Sequence, residues 1–192
     1  MSVVSTRTRP DSWQAARDLV KERGYDRHEE PFVLASGKES RDYIDGKHAV
    51  DDGNKLVLVA KAVVDLAEAE GIEFDAVGGL TMGADPLAIA ISIVAQKNWF
   101  SVRKMRKERG RNQWIEGTRF HGRNMRVLVV DDVVSTGGSI LEACDHVEEE
   151  GGTVTGAIPM VDRGETAAKR FADRGIRYCP LMNYADLDIE PV

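Results

Sequence analysis

The sequence predicts an α/β fold in which helices flank both faces of a mostly parallel sheet. Two observations lead to this prediction. Short apolar runs alternate along the chain with longer segments of helical periodicity, and glycines stand at many of the boundaries between them. This alternation is typical of parallel sheets, because a parallel connection needs a helix to bring the chain back to the same edge.

The first part of the chain contains two predicted helices separated by an irregular stretch. Residues 13–24 have a helical pattern that Asp11 or Ser12 could cap. Residues 31–50 combine alternating apolar residues with turn formers, so we predict an extended or looped segment there. A longer helix is predicted over residues 55–70.

The rest of the chain alternates regularly between strands and helices. We predict strands over residues 74–80, 99–105, 125–133, 153–162 and 176–182, and helices over residues 85–97, 137–152 and 165–175. In open parallel sheets, ligands bind outside the carboxyl ends of the strands. The acids that close the strand at 125–133 are therefore expected in the functional site.

The charge distribution limits the kind of ligand. The chain has 192 residues, enough for one domain with a substantial core, and a net charge of −6, which argues against general nucleic-acid binding. Residues 103–111 nevertheless hold six basic residues and one acidic residue, a net charge of +5. An acidic chain with one concentrated basic segment favours a small polyanionic ligand.

Several sequence features indicate a cytoplasmic protein. The N-terminus lacks the apolar segment of a secretory signal, and no apolar run approaches the length of about 18 residues that a membrane helix needs. Cys144 and Cys179 lie in apolar surroundings without metal-ligand spacing, so we expect reduced core thiols.

The segment VLVVDDVVSTGGSI passes from a buried strand through a small polar loop into a helix. Gly137 and Gly138 allow backbone angles that direct several N–H groups at one anion, next to the positive end of the helix dipole. Ser135, Thr136 and Ser139 add hydroxyl donors. This loop is suited to a phosphate monoester.

Two adjacent carboxylates precede the loop and would repel a phosphate. Asp131 and Asp132 are therefore expected to serve another part of the ligand, either the vicinal hydroxyls of a ribose or a metal-bound water. A sugar phosphate accounts for both halves of the motif. The glycines do not form the G-x-G-x-x-G fingerprint, which makes a dinucleotide-binding fold a poor alternative.

This segment resembles the phosphoribosyl-pyrophosphate motif of the type I phosphoribosyltransferases. The resemblance implies that family's fold, with a small N-terminal hood over residues 1–50 and a core over residues 51–192. It also implies a donor site that includes the basic segment as well as the loop. The expected donor-binding residues are Arg103, Lys104, Lys107, Arg109, Asp131, Asp132, Val133, Val134, Ser135, Thr136, Gly137, Gly138 and Ser139.

The basic segment is similar to the mobile catalytic loop of the orotate phosphoribosyltransferases, here called the lid (residues 103–122). The match includes Arg103, Lys104 and Lys107, whereas Arg109 stands where that family has histidine. The resemblance implies that Lys107, Arg109 and Asp132 are catalytic. Cations that close over departing pyrophosphate would stabilise charge that develops in the transition state.

The resemblance extends to the acceptor and to the assembly. Residues 32–43 resemble the family's segment that covers the base, and Arg163 falls where the family binds the orotate carboxylate, together with Ser135. A guanidinium binds a carboxylate through two parallel hydrogen bonds. The family also implies Mg²⁺, carried by the substrate and held directly or through water by Asp131 and Asp132, and a homodimer that shares the lid.

Two departures from the family leave alternatives open. Ala35 and Gly83 stand where the family has lysines that contact the diphosphate. The sequence therefore also allows a phosphoribosyltransferase for another base, such as adenine or xanthine. A non-catalytic regulator that binds phosphoribosyl pyrophosphate is a further alternative, although the first 50 residues show no basic recognition helix.

Overall fold

The computed structural model describes residues 9–33, 37, 39–105 and 113–190. Their helices and strands follow one another along the chain in the alternation that the sequence predicts from residue 74 onward. In chain order they are α1 (Asp11–Gly24), β1 (Tyr25–Val33), β2 (Glu39–Ile44), α2 (Gly46–Ala49), α3 (Gly53–Ala69), β3 (Ala76–Leu80), α4 (Asp85–Ala95), β4 (Asn98–Val102), β5 (Ile115–Gly117), β6 (Arg126–Val134), α5 (Gly138–Glu149), β7 (Thr153–Asp162), α6 (Thr166–Asp173) and β8 (Met182–Asn183), followed by a 3₁₀ turn (Ala185–Leu187).

The main sheet has six strands in the order β5-β4-β3-β6-β7-β8. All neighbouring strands run parallel except β4 and β5, which are antiparallel. The predicted α/β class with a mostly parallel sheet is therefore confirmed. Because the strands β3, β6 and β7 are parallel neighbours, their carboxyl ends lie together at one edge, on which the functional residues converge.

Helices cover both faces of the sheet, as predicted. Along β6, Leu128 and Val130 pack into a core with helices α1, α3 and α4, whereas Val127 and Val129 pack into a second core with α5 and α6. All four side chains are fully buried, which explains the uninterrupted apolar run of a strand covered on both sides.

The N-terminal segment differs in detail from its prediction. A two-stranded antiparallel hairpin, β1–β2, occupies much of residues 25–44, where we expected an extended or looped segment to begin only at residue 31. The helix α1 is preceded by Pro10 as its N-cap, and neither predicted cap, Asp11 nor Ser12, supplies a capping hydrogen bond. The division of the chain at residue 50 stays a prediction.

Two strands at the ends of the sheet were also predicted incompletely. The short strand β5 lies within the lid and was missed, because three residues carry no readable periodicity. The strand predicted over residues 176–182 is limited to β8 and one isolated bridge between Ala157 and Tyr178. Pro180 lies in this stretch and has no N–H to donate to a ladder.

The described residues also bear on the cysteines and on membrane insertion. Cys144 and Cys179 are both buried, and burial raises the pKa of Cys144 to about 12, as expected for a core thiol. Among the described helices, none is long and apolar enough to cross a bilayer.

Candidate active site

A cleft of about 340 Å³ opens at the carboxyl edge of the sheet. It is lined by residues 43–47 from the end of β2 and α2, by residues 131–140 from β6 and the following loop, and by Arg163 after β7. The structure thus brings together the predicted phosphate loop, the acid pair and the predicted acceptor arginine, which lie up to 32 residues apart in sequence.

Only one of the two loop glycines has the unusual backbone angles expected of both, and Gly138 is not in the left-handed region. Gly137 has a left-handed backbone (φ 78°) and forms the N-cap of α5, and a Cβ there would lie 3.0 Å from the Cβ of Ala167. The Nη1 of Arg170 donates to the carbonyl of Thr136 at 3.0 Å, which fixes the loop against α6. Because the first N–H groups of a helix have no partner within it, the start of α5 offers donors to an anion in the cleft.

The two acids at the end of β6 occupy different environments. Asp131 is only 7% exposed, and burial, followed by the neighbouring charge of Asp132, raises its pKa above the usual carboxyl range. Asp132 is more accessible, with 16% of its side chain exposed. One carboxyl oxygen of each residue accepts the next backbone N–H, at 3.0 Å and 2.8 Å. Two carboxyl groups held side by side in a cleft are typical of a functional site rather than of a stabilising one.

Lys47 supplies a positive charge beside these acids, and sequence reasoning missed it. Its Nζ donates to Oδ2 of Asp132 at 2.9 Å, and this hydrogen bond raises the pKa of the ammonium. The lysine lies on the short helix α2, which follows directly on the hairpin. Only a Gly-Lys step after an aspartate marks α2 in the sequence, a signal too short to indicate a binding residue.

Gly83 lies directly against the acid pair. A Cβ at this position would lie 2.5 Å from Oδ1 of Asp132 and 2.9 Å from Oδ1 of Asp131. The sequence marked Gly83 only because the family that the chain resembles has a lysine at that position. The structure gives a further reason for glycine, because any side chain would meet the carboxylates.

Arg163 borders the cleft on the side of the hairpin. Its backbone N–H donates to the carbonyl of Val134 at 2.9 Å, which joins the ends of β6 and β7. Its guanidinium lies 5.8 Å from the ring of Tyr43, and within the described residues its buried Nε has no hydrogen-bond partner. The ring of Tyr43 also contacts Phe32 and His28 edge-on. A cation with an unused donor beside an aromatic ring is suited to a planar anionic ligand.

The predicted lid is described only at its base. Arg103 and Lys104 follow β4 and are not among the residues that line the cleft, and Arg103 instead pairs with Glu116 at 3.1 Å. Lys107 and Arg109, predicted to be catalytic, lie outside the described residues, as does Ala35.

The donor set at the acid pair suits a hard cation such as magnesium. Mg²⁺ prefers oxygen ligands and is commonly held by one or two carboxylates together with substrate phosphates. Asp131 and Asp132 offer such oxygens in a cleft of suitable size. Over the described part of the chain, no three His, Cys, Asp or Glu side chains converge on a metal site.

Comparison with known proteins places the chain among characterised relatives. The family model described as "Phosphoribosyl transferase domain" matches residues 49–179. The orotate phosphoribosyltransferase of Pyrococcus furiosus is 41% identical over 79% of this chain and 82% of its own length.

Solved structures agree with this relationship. The orotate phosphoribosyltransferase of Mycobacterium tuberculosis H37Rv in complex with Fe(III) dicitrate is 34% identical, with a TM-score of 0.76 over 94% of this chain and 100% of that one. The same enzyme in complex with 5-phospho-α-D-ribosyl 1-diphosphate is similar over the same shares of both chains, with 33% identity and a TM-score of 0.73.

Proposed function

The chain belongs to the phosphoribosyl transferase family, and on that premise we propose that it transfers the 5-phosphoribosyl group of phosphoribosyl pyrophosphate to orotate. The products are orotidine 5′-monophosphate and pyrophosphate, so the reaction belongs to pyrimidine nucleotide biosynthesis. The observation that carries the proposal is the presence of three chemically distinct groups in one cleft: a phosphate loop, an acid pair and an arginine beside an aromatic ring.

The loop and the acids bind the donor. The N–H groups at the start of α5 and the hydroxyls of Ser135, Thr136 and Ser139 hold the 5-phosphate. Asp131 and Asp132 accept hydrogen bonds from the ribose hydroxyls, and they are the residues that would hold a magnesium ion. Val133, Val134, Gly137 and Gly138 contribute backbone rather than side-chain chemistry.

Arg163 and Ser135 bind the acceptor. The guanidinium of Arg163 lies 5.8 Å from the ring of Tyr43, and its Nε has no hydrogen-bond partner among the described residues. The guanidinium therefore has a donor for a carboxylate while the ring covers a planar base. Orotate has both features, a planar ring and a carboxylate. The curated relatives are named for orotate, which favours this acceptor over adenine or xanthine and over a non-catalytic regulator.

The chemical step is a substitution at the anomeric carbon of the donor. The deprotonated ring nitrogen of orotate forms the new C–N bond while the C–O bond to pyrophosphate breaks, and the electron pair of that bond leaves with the pyrophosphate. Lys107 and Arg109 of the lid stabilise the leaving charge, assisted by Arg103 and Lys104. A magnesium ion held at Asp131 and Asp132 would supply further charge neutralisation. The protein acts in the cytoplasm as a homodimer whose lid reaches the partner subunit's active site.

A base screen tests this proposal. The purified protein is mixed with phosphoribosyl pyrophosphate, Mg²⁺ and one base at a time, and pyrophosphate release is measured. We expect release that depends on orotate and exceeds that with adenine, guanine, xanthine or uracil by at least about 100-fold, since only orotate offers a carboxylate to Arg163. Preferred use of another base, or no release with any base, contradicts the proposal.

Variants of Arg163 identify the acceptor contact within the same assay. Arg163→Gln is expected to raise the KM for orotate by about 10- to 100-fold with little effect on the KM for the donor, because a charged two-point contact is lost. Arg123→Gln removes an exposed arginine far from the cleft and serves as the matched control.

A further inference from the structure

Lys47 lines the cleft, and the proposed reaction gives it no role. Its ammonium lies 2.9 Å from Asp132, and 58% of its side chain is exposed. Residues 43–47 reach the cleft because β2 ends there and α2 follows at once. The lysine therefore faces the space that the donor is proposed to fill.

The position of Lys47 is fixed by close packing around α2. The side chain of Asp45 caps this helix by accepting the N–H of His48 at 3.0 Å. A Cβ on Gly46 would lie 2.9 Å from Cε of Met160 and 3.1 Å from Cβ of Asp132, so the α2 backbone sits directly on the end of β6. This packing holds the lysine backbone against the acid pair while its long side chain remains free to turn.

A cation in the cleft would balance negative charge from both the donor and the acids. Phosphoribosyl pyrophosphate carries phosphate groups at both ends, whereas Asp131 and Asp132 present carboxylates to the same space. Gly83 and Ala35 contribute no charge of their own. A side chain at residue 83 would also collide with both acids, so the missing charge cannot be restored there without moving them.

We propose that Lys47 is a phosphate-binding residue for the donor, an inference that rests on the proposed function. In the free protein its ammonium is held by Asp132. When the ribose hydroxyls bind the acids, the ammonium moves to a phosphate oxygen of phosphoribosyl pyrophosphate. Little free energy opposes this exchange, because the Lys47 side chain is 58% exposed and water already screens its ion pair in part. In this way Lys47 supplies a positive charge at the donor site, where residue 83 is a glycine.

Steady-state kinetics of Lys47→Met, Lys47→Arg and Lys61→Met test this inference. We expect Lys47→Met to raise the KM for phosphoribosyl pyrophosphate on the order of tenfold or more, with the KM for orotate and the melting temperature nearly unchanged. Lys47→Arg should recover most of the loss. Lys61→Met is the matched control, because Lys61 is similarly exposed and pairs with Asp65 at 3.2 Å on α3, away from the cleft.

Two inhibitors show which phosphate group of the donor Lys47 contacts. The Asp132→Asn variant shows whether Lys47 acts on the donor directly or only through Asp132. Pyrophosphate and ribose 5-phosphate are tested as inhibitors of wild type and Lys47→Met, and weaker inhibition by either one supports the inference. Lys47→Met is also introduced into Asp132→Asn, and donor binding is measured by calorimetry. A further loss of affinity supports direct contact, whereas no further loss means that Lys47 acts only through Asp132 and overturns the inference.

An unchanged donor KM in Lys47→Met, or a fall in melting temperature without any change in donor affinity, also overturns it. Failure of the proposed function is recognised separately, because wild type would then show no orotate-dependent product. Calorimetry with phosphoribosyl pyrophosphate still compares wild type and Lys47→Met in that case.

Discussion

The two ends of strand β6 carry charged residues in opposite arrangements. At the amino end, Asp75 accepts hydrogen bonds from the backbone N–H, Nε and Nη2 of Arg126 at 3.0, 3.0 and 2.8 Å. These bonds hold the pKa of Asp75 far below its usual range. At the carboxyl end, Asp131 and Asp132 lie side by side, and the pKa of Asp131 is raised.

The difference shows that one end of β6 contributes to stability and the other end to function. Opposite charges at the amino end favour the folded state, whereas the burial of the Asp131 carboxyl beside Asp132 at the carboxyl end opposes it. A protein keeps an unfavourable arrangement where it serves a ligand, and the buried core along the middle of β6 is large enough to tolerate it. Substitutions at the carboxyl end should therefore lower activity while leaving stability unchanged or raised, and substitutions at the amino end should lower stability.

The largest expected effect comes from Gly83→Ala at the carboxyl end. The new Cβ would displace the carboxylates of Asp131 and Asp132 and disturb the Lys47 contact, so we expect orotate-dependent turnover to fall by about 100-fold. The melting temperature should change little, because the displaced groups are carboxylates that line the cleft and not apolar side chains of the core. Pyrophosphate release and a thermal melt measure the two quantities.

Gly53→Ala is the control for this substitution, since a Cβ there would meet nothing within 4 Å. It should retain full turnover. If Gly83→Ala also retained it, the acids would be free to move aside, and the contrast between a fixed carboxyl end and a stabilised amino end of β6 would fail.

Of the two ends of β6, the sequence predicted the functional residues of the carboxyl end but not the ion pair of the amino end. The segment VLVVDDVVSTGGSI is contiguous, and a strand, two acids and a glycine loop have a direct chemical meaning in that order. The sheet class followed from alternation, which depends on local periodicity. Arg163 could be named only through the family resemblance, because 24 residues separate it from Ser139 and nothing local marks an arginine as a ligand.

The remaining features depend on tertiary contacts that no local pattern encodes. Asp75 and Arg126 are 51 residues apart and meet only because β3 and β6 are neighbours. Lys47 meets Asp132 across 85 residues through the packing of α2 on β6. The hairpin β1–β2 was misjudged because its strand β1 is mostly exposed and polar and lacks alternation.

At the amino end of β6, Asp75→Asn should lower stability without loss of activity. The substitution removes the charge that Arg126 pairs with, and we expect the melting temperature to fall by a few degrees. A carboxyl whose folded pKa is depressed stabilises the protein above its unfolded pKa of 3.8 and loses that contribution as pH falls. The gap to wild type should therefore be constant near neutral pH and shrink below about pH 3.8. Asp173→Asn, at an exposed carboxylate on α6, should show no such gap.

The smallest expected effect has the opposite pH dependence and comes from Asp131→Asn. A carboxyl whose folded pKa is raised keeps its proton in the folded state while the unfolded chain ionises above pH 3.8. Wild type therefore loses stability as pH rises from 3.8 until the folded group also ionises, whereas the asparagine variant does not. We expect Asp131→Asn to melt a few degrees above wild type at neutral pH, with the gap closing on acidification, while turnover falls.

Thermal melts of Asp75→Asn and Asp131→Asn across the same pH series would then diverge from wild type in opposite directions. If the two variants instead differed from wild type in the same direction, the two ends of β6 would not differ in how charge affects folding. Opposite pH slopes of the melting-temperature difference arise only when the pKa is raised at one end and depressed at the other.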